Sequence, residues 1–218
     1  PKHQAQADSG IDALIEAVRK HPGKITLVTL GPLTNIAMAI AKAPDIVEKI
    51  PSCVVMGGAA NTVGNVTPSA EFNIWVDPEA AKKVYHSDLP VIQAGWELCR
   101  GEANLLEEDI QAIREMDTKY GHFTIDCNRQ AIQTNREWLG DPALPLPDPV
   151  AMAIALDPEI SLQQSKHYVD IETDSELTRG MTVVDQLGVT DGEPNVEIVW
   201  EINVEGWKEM LLKSIQPD

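Results

Sequence analysis

A polar segment, Ala59–Asn73, follows the glycine pair that ends at Gly58 and concentrates side chains suited to binding a ligand. Asn65, Glu71 and Asn73 lie within nine positions, and in an extended segment Glu71 and Asn73 face the same side. One carboxylate and two amides that converge can donate and accept hydrogen bonds with the hydroxyls of a sugar. The alternative is a long turn without a ligand, because asparagine and glycine are also common turn residues.

Asp148 is the second candidate, in a proline-rich run that precedes the apolar stretch Val150–Leu156. It can serve as the N-cap of a helix, with Pro149 at the first helical position. The alternative is a carboxylate directed from the helix start toward a ligand, where it would bind a metal ion or a hydroxyl. Both interpretations stay open from these residues alone.

Several other kinds of site lack support in the sequence. The turn Gly31–Asn35 holds one glycine, so it matches neither a dinucleotide-binding nor a phosphate-binding loop, although its carbonyls could face a cation. Histidine and cysteine do not cluster at zinc spacing, and no Gly-x-Ser-x-Gly motif marks a nucleophilic serine.

Short apolar strands alternate with helices, which predicts βαβ units and a mostly parallel sheet. The predicted strands are Ile25–Leu30, Cys53–Met56, Leu89–Gln93, Tyr168–Glu172, Met181–Val184 and Val196–Trp200. The predicted helices are a first one capped by Ser9 with apolar positions Ile11–Val18, then Leu33–Lys42, Asp77–His86, Glu107–Met116, Thr124–Leu139, one through Leu156 after the loop Pro142–Pro149, and Val204–Ile215.

Ligands of an open parallel sheet bind beyond the carboxyl ends of its strands. Three segments fall at such ends: Leu30–Pro32, Gly57–Gly58 with the loop after it, and Gly95–Trp96. The polar segment around Glu71 therefore lies where the fold is expected to place its ligand.

The composition narrows the class of partner. The chain has 218 residues and a net charge of -17, so nucleic acid and membranes are poor partners, whereas a small neutral molecule or a cation is compatible. No apolar run approaches the roughly 20 residues that span a bilayer. Three scattered cysteines predict reduced thiols and a cytoplasmic location. The polar start Pro1–Gly10 lacks the apolar core of a signal peptide, and Pro1 in place of methionine suggests that a first segment is missing.

Longer motifs resemble the inosine-uridine-preferring nucleoside hydrolase family. They are LGPLTNIAMAIAKAPDIVEKI, VVMGGA, GNVTPSAEFNIWVDPEAA, PDPVAMAIALDPEI and ELTRGMTVVD, in the family's order and across almost the whole chain. The AEFN-x-x-x-DPEAA stretch is the most specific of them. The resemblance implies a doubly wound α/β fold, with a mostly parallel sheet flanked by helices, in a single domain that spans residues 1–218.

The activity that the resemblance implies is hydrolysis of the N-glycosidic bond of a ribonucleoside, in nucleoside salvage. By motif, Asn65, Glu71, Asn73 and Asp148 would bind the substrate, and Met56 would line the pocket near the sugar. The transition state should resemble an oxocarbenium ion, as in glycoside hydrolysis. Members of the family are commonly dimers or tetramers, so a homo-oligomer is expected.

A calcium ion is also implied by the resemblance, and it would hold the attacking water and two ribose hydroxyls. Asp148 and the backbone carbonyl of Leu30 would be ligands, which agrees with the preference of calcium for 6–8 oxygens. The family's N-terminal motif DxDxxxDD supplies most of the other ligands and the acceptor of the water's proton, and this sequence lacks it. No catalytic residue is therefore assigned within the chain, and its domain is expected to be incomplete at the N-terminus.

The leaving base raises a separate question. Many members place a histidine just before the aspartate that matches Asp148, and it protonates the base, but here that residue is Pro147. Another donor, such as His122, or solvent would have to replace it. Trp96 follows a strand end, where its ring either stacks on the base or fills the core.

Two hypotheses follow. The first is a calcium-dependent ribohydrolase, or the large part of one. The second is a truncated, inactive homologue that keeps part of a ribose pocket. Retention of Glu71, Asn73 and Asp148 favours the enzyme, whereas the missing aspartates favour the inactive form for the polypeptide as it stands.

Overall fold

The computed structural model describes residues 4, 7, 9–140 and 143–216, with the side chains of residues 138 and 139 excepted. The chain divides into two compact units. The first comprises Pro1–Glu97 and Gln164–Val199, and the second comprises Leu98–Gln163 and Trp200–Asp218. The first unit contains every predicted site residue except Asp148.

Six strands run through the described part of the chain. They are β1 (Thr26–Thr29), β2 (Ser52–Met56), β3 (Val91–Ala94), β4 (Ser161–Ile171), β5 (Thr182–Asp185) and β6 (Val196–Ile202). Their order in the sheet is β1-β2-β3-β6-β4-β5. The pairs β1–β2, β2–β3 and β3–β6 are parallel, and β4–β5 is antiparallel. Val54 of β2 lies between Val28 and Ile92, so β2 is covered on both edges. The residues of β2 from Cys53 onward are all buried, which explains why the sequence is continuously apolar there.

In the described part of the first unit there are four α-helices: α1 (Gly10–Lys20), α2 (Thr34–Lys42), α3 (Phe72–Val76) and α4 (Pro78–Tyr85). The predicted Ser9 cap is confirmed, since its hydroxyl accepts a hydrogen bond from the Asp12 backbone N–H at 3.2 Å. Asp77 caps α4 in the same way through Ala80 at 3.0 Å. Helices connect the parallel strands β1, β2 and β3, so the predicted α/β fold is confirmed.

The second unit is mainly helical. Its α-helices are α5 (Glu107–Glu115), α6 (Lys119–Cys127), α7 (Arg129–Leu139), α8 (Pro147–Leu156) and α9 (Val204–Ser214). Trp207 of α9 is buried, and its indole N–H donates to the carbonyl of Ala103 at 3.2 Å. Short 3-10 helices complete the described elements at Pro44–Lys49, Trp96–Cys99, Gly101–Ala103 and Pro158–Ile160.

Some predicted boundaries were wrong. One helix was predicted over Thr124–Leu139, but α6 begins at Lys119 and ends before Asn128, whose side-chain amide donates to the carbonyl of Thr124 at 2.9 Å. An asparagine that bonds to the backbone in this way competes with helix continuation. The strand predicted from Tyr168 in fact begins at Ser161. Its first half was missed because that part is mostly polar and exposed and lacks the apolar pattern of a buried strand.

The Pro142–Pro149 loop was also placed wrongly at its end. Helix α8 already begins at Pro147, while Pro142 lies outside the described residues. Across the described residues, every helix is too short or too polar to cross a bilayer.

None of the three cysteines, all within the described residues, forms a disulfide bond, and their burial differs, which leads to a prediction. Cys53 and Cys99 are buried and Cys127 is exposed. Burial raises the pKa of the Cys53 thiol to about 12. Because the thiolate is the reactive form, we expect iodoacetamide to label Cys127 alone in the native protein. Mass spectrometry of the alkylated peptides measures this. Native labelling of Cys53 as fast as Cys127 would contradict the burial described here, and a Cys127→Ser variant is the control.

Candidate functional site

The carboxyl ends of three neighbouring parallel strands carry predicted site residues. Leu30 directly follows β1, Met56 is the last residue of β2, and Trp96 comes two positions after β3. Pairing continues beyond the strands, since Gly57 N–H donates to the carbonyl of Ala94 at 3.2 Å and Trp96 N–H donates to that of Gly58 at 2.9 Å. These residues therefore lie at one edge of the sheet, as the strand-end rule predicts.

Gly58 begins the loop and requires glycine for two reasons. Its φ is +81°, in the left-handed region that other residues rarely adopt. A Cβ at this position would also lie 2.7 Å from Thr182 Oγ1 and 3.0 Å from Gln93 Nε2. The polypeptide turns sharply here, and its path is fixed by neighbours on two sides.

Glu71 is the buried centre of the loop, with 2% of its surface exposed. The extended conformation expected around it is wrong, because Glu71 is the N-cap of α3 and Asn73 lies within that helix. Its carboxylate accepts hydrogen bonds from the backbone N–H groups of Gly58 and Asn73, both at 3.0 Å, and of Ile74 at 3.4 Å. Because the Glu71 side chain caps the helix, the chain continues as a helix after it, and the two-residue alternation of an extended strand does not apply.

The two carboxylate oxygens of Glu71 are used unequally. Oε2 accepts hydrogen bonds from all three backbone N–H groups, whereas Oε1 accepts from only one of them, that of Asn73, at 3.0 Å. Because fewer backbone donors reach it, Oε1 is the oxygen more open to a ligand hydroxyl. Burial raises the pKa of this carboxyl, and hydrogen bonds from Asn73, Gly58, Ile74 and the Asn65 side chain oppose that effect.

The two asparagines are held around the same centre. The Asn73 amide donates to the carbonyl oxygen and to the sulfur of Met56, each at 3.1 Å. Asn65 Oδ1 accepts from the N–H of Phe72 at 2.9 Å. The structure therefore brings Met56, Asn65, Glu71 and Asn73 together around one carboxylate.

A second carboxylate at this edge belongs to Glu97, which is half-buried and was not predicted from the sequence. Its Oε1 accepts from the backbone N–H of Ala60 at 3.2 Å, and Asn61 N–H adds to this. Its Oε2 is buried without a partner among the described residues. Burial raises the pKa of the Glu97 carboxyl. A glutamate just after the strand-end pair Gly95–Trp96 was the available signal.

A pH dependence follows from Glu97. A carboxyl whose pKa is raised by folding stabilises the fold below its unfolded pKa, and this contribution is lost as pH rises through the folded pKa. Glutamine does not titrate, so we expect Glu97→Gln to gain stability relative to wild type as pH rises above 4.5 toward neutrality. Urea unfolding at several pH values measures the difference. The exposed Glu102→Gln variant is the control. A difference that shrinks with rising pH would show that the sign is wrong.

Asp148 belongs to the second unit and is the second residue of α8. The predicted N-cap role is wrong, because the helix starts one residue earlier, its N-cap is Leu146, and no side chain caps it. Burial raises the pKa of the half-buried Asp148 carboxyl, and no hydrogen bond from the described residues offsets it. The carboxylate is therefore available to a cation or a hydroxyl.

A calcium site fits these residues in kind but not in number. A carboxylate at Asp148 and a carbonyl at Leu30 are the oxygen donors that calcium prefers, yet calcium takes about 6–8 of them. Within residues 9–140 and 143–216, no group of three or more histidine, cysteine, aspartate or glutamate side chains could hold a metal ion. Further donors would have to complete the shell.

The residues discussed for the leaving base lie in different settings. Pro147 is the first residue of α8 and has no proton to give. His122, on α6, is exposed, and its Nε2 lies 2.9 Å from the Asp117 carboxylate. Trp96 is half-buried, so its ring is partly accessible, which leaves base stacking as a prediction.

A cleft of about 700 Å³ lies elsewhere in the first unit. Ser52, Val91 and Glu197 line it, at or near the amino ends of β2, β3 and β6, and none of the predicted site residues does. Ligands of parallel sheets bind at the opposite ends, so the loop around Glu71 remains the candidate site.

Comparison with known proteins gives consistent matches over nearly the whole chain. The family model described as "Inosine-uridine preferring nucleoside hydrolase" matches residues 1–209. The "Pyrimidine-specific ribonucleoside hydrolase RihA" of Shewanella woodyi is 37% identical over 99% of this chain and 69% of its own length. Among solved structures, a plant nucleoside hydrolase has a TM-score of 0.91 at 28% identity, covering 99% of this chain and 70% of that one. A purine-preferring ribonucleoside hydrolase from Gardnerella vaginalis has a TM-score of 0.87 at 29% identity, covering 98% and 67%.

Proposed function

Because the chain belongs to the inosine-uridine preferring nucleoside hydrolase family, we propose that its strand-end loop binds the ribose of a ribonucleoside whose N-glycosidic bond is hydrolysed. The products are ribose and a free base. The observation that carries the proposal is the buried Glu71 carboxylate, which orders the loop and α3 and has a single backbone donor at Oε1.

Each residue of the loop has a role in this proposal. Glu71 Oε1 accepts a ribose hydroxyl, and Asn65 and Asn73 supply amide groups beside it. Met56 lines the sugar side of the pocket, and its carbonyl and sulfur fix the Asn73 amide. A rigid set of such groups favours one orientation of the sugar, which places the glycosidic bond for attack.

The metal in this proposal is calcium, held by Asp148 and the carbonyl of Leu30 together with donors beyond the described residues. When bound, calcium orients a water molecule and lowers its pKa. The negative charge of Asp148 lies in the first turn of α8, and its carboxylate is not used in a capping hydrogen bond. Three points remain predictions from the family resemblance: the proton acceptor for that water, a role in salvage and a homo-oligomeric state. The cytoplasmic location remains a prediction from the three scattered cysteines.

The alternative is that the 218 residues alone bind ribose without catalysis. It is favoured by the donor count, because one carboxylate and one carbonyl leave most of a calcium shell to water. Affinity for calcium follows the number of charged ligands, so the isolated chain should bind it weakly.

The test is a ribose-release assay with uridine and inosine across a calcium titration. It is applied to the product of the complete open reading frame and to residues 1–218 alone. We expect calcium-dependent release by the complete product and little or none by the isolated chain. Absence of release by the complete product, at any calcium concentration, would overturn the proposed function. Turnover by residues 1–218 alone would overturn the alternative.

A further inference from the structure

One of the motifs, ELTRGMTVVD, has no role in the proposed reaction, although part of it packs against the substrate loop. Its residues Gly180, Met181 and Thr182, here called the Gly180–Thr182 segment, lead into β5. The segment lies more than a hundred positions from the loop in the sequence, yet it contacts both loop ends within the first unit.

At the far end of the loop, the contact is made by backbone. Met181 forms an isolated antiparallel bridge with Ala70, the residue before Glu71. Gly180 has φ +82°, and a Cβ there would lie 2.9 Å from the Cα of Trp75 and 3.2 Å from the Cβ of Ala70. Only glycine lets the segment approach α3 so closely.

At the near end, the contact is made by Thr182. Its side chain is buried, with 3% of the residue exposed, and its Oγ1 lies 2.7 Å from where a Cβ of Gly58 would be. Gly58 in turn donates its N–H to Glu71. Thr182 thus packs against the turn that supplies one of the three backbone N–H groups bonded to the Glu71 carboxylate.

The segment is itself firmly held. Gly180 N–H donates to the carbonyl of Glu172 at 2.7 Å, and Glu172 N–H donates to that of Met181 at 3.0 Å. The preceding Arg179 pairs through Nη2 with both oxygens of Glu79, at 2.7 and 2.8 Å, and donates through Nη1 to the carbonyl of Thr173. A support with these attachments can restrain the loop that it contacts.

We propose that the Gly180–Thr182 segment is a positioning element for the ribose-binding loop, with Thr182 as a positioning residue that acts through Gly58 on Glu71. The segment fixes the loop at Gly58 and Ala70, and these two points determine where Glu71 and Asn73 present their polar atoms. This inference rests on the proposed function for its effect on the substrate. Its effect on the loop does not depend on any substrate.

The experiment compares Thr182→Val with Thr182→Ser. Valine puts a methyl group where the hydroxyl oxygen now approaches Gly58, so it should displace the turn, whereas serine keeps the hydroxyl. The control is Val183→Thr, on the neighbouring residue of β5, whose side chain is largely exposed. Amide hydrogen exchange of Gly58 and Asn73 by NMR reports the loop, and steady-state kinetics of the complete product with uridine reports the substrate.

With Thr182→Val we expect exchange at Gly58 and Asn73 to become about tenfold faster, because local opening replaces a fixed turn. We expect KM for uridine to rise about tenfold with a smaller change in kcat, since misplacement of a sugar-binding group weakens binding first. Thr182→Ser should restore both values, and Val183→Thr should leave both at wild type.

Unchanged exchange at both amides in Thr182→Val would overturn the inference, and so would faster exchange that serine fails to reverse. Should Thr182→Val fold poorly, Gly180→Ala provides the same comparison from the other end of the loop, with Ala70 and Asn73 as reporters. If the loop responds as expected while the wild-type complete product binds no ribonucleoside, the positioning role stands and the proposed function fails.

Discussion

Glu71→Gln should lower kcat/KM for uridine by about 10- to 100-fold, the equivalent of one hydrogen bond to a charged group, while the protein stays folded. The reason lies in the two oxygens of the carboxylate. If the new amide nitrogen takes the Oε2 position, it opposes the N–H groups of Gly58, Asn73 and Ile74. If it takes the Oε1 position, it removes the acceptor proposed for a ribose hydroxyl. Neither orientation keeps both functions.

Stability should also fall, by about 1–3 kcal/mol, because a buried donor would be left unsatisfied or a charged hydrogen bond lost. Urea unfolding and steady-state kinetics on the complete product measure the two effects separately. Glu16→Gln is the matched control, since Glu16 is exposed on α1. Wild-type kinetics in Glu71→Gln would contradict the proposed contact between Glu71 and the ribose.

Asp148→Asn should lower kcat/KM by more than about 100-fold at low calcium, because loss of supporting groups around metal ligands alone costs 10- to 100-fold. A neutral amide is a weaker ligand for a hard cation than a carboxylate. The half-buried position of Asp148 should increase the loss of calcium binding. The carboxylate is partly removed from water and makes no capping hydrogen bond, so a cation is the partner that would stabilise its charge.

The measurement is kcat/KM with calcium titrated, alongside calorimetric calcium binding, which does not depend on turnover. Higher calcium should recover part of the activity of Asp148→Asn. Asp126→Asn, on the exposed side of α6, is the control and should match wild type. A variant that matches wild type at low calcium would remove Asp148 from the metal site.

The parallel strands were predictable because burial on both faces leaves a clear trace in the sequence. Val54 and its neighbours form a continuous apolar run, and Ser9 and Asp77 mark helix starts through their capping chemistry. Where a strand is exposed, as in the first half of β4, that trace is missing and the boundary is lost.

The sequence identified candidate residues that the structure brings together, but it did not give their local geometry. Motifs identify Asn65, Glu71 and Asn73, but spacing alone suggested an extended segment where Glu71 in fact caps α3. At Asp148 the residues alone left a capping role and a ligand role open, and the structure excludes the capping role because the N-cap of α8 is Leu146.

Contacts between distant segments account for what the sequence did not reveal. The position of Glu97 after a strand end is its one signal in the sequence, and its contact with Ala60 forms only when β3 lies beside β2, which leads into the loop. The bridge between Ala70 and Met181 likewise joins residues whose closeness depends on how the whole sheet is assembled.

The crowding around Gly58 has a consequence for protein engineering. Its α-carbon is enclosed by Thr182 and Gln93 and its N–H is committed to Glu71, so substitutions among these four positions should be strongly epistatic and tolerated only in combination. The tip of the loop is freer, and Val63 is 62% exposed. A mutant library aimed at a different sugar or base would retain more folded members if it randomised the tip and left Gly58 unchanged.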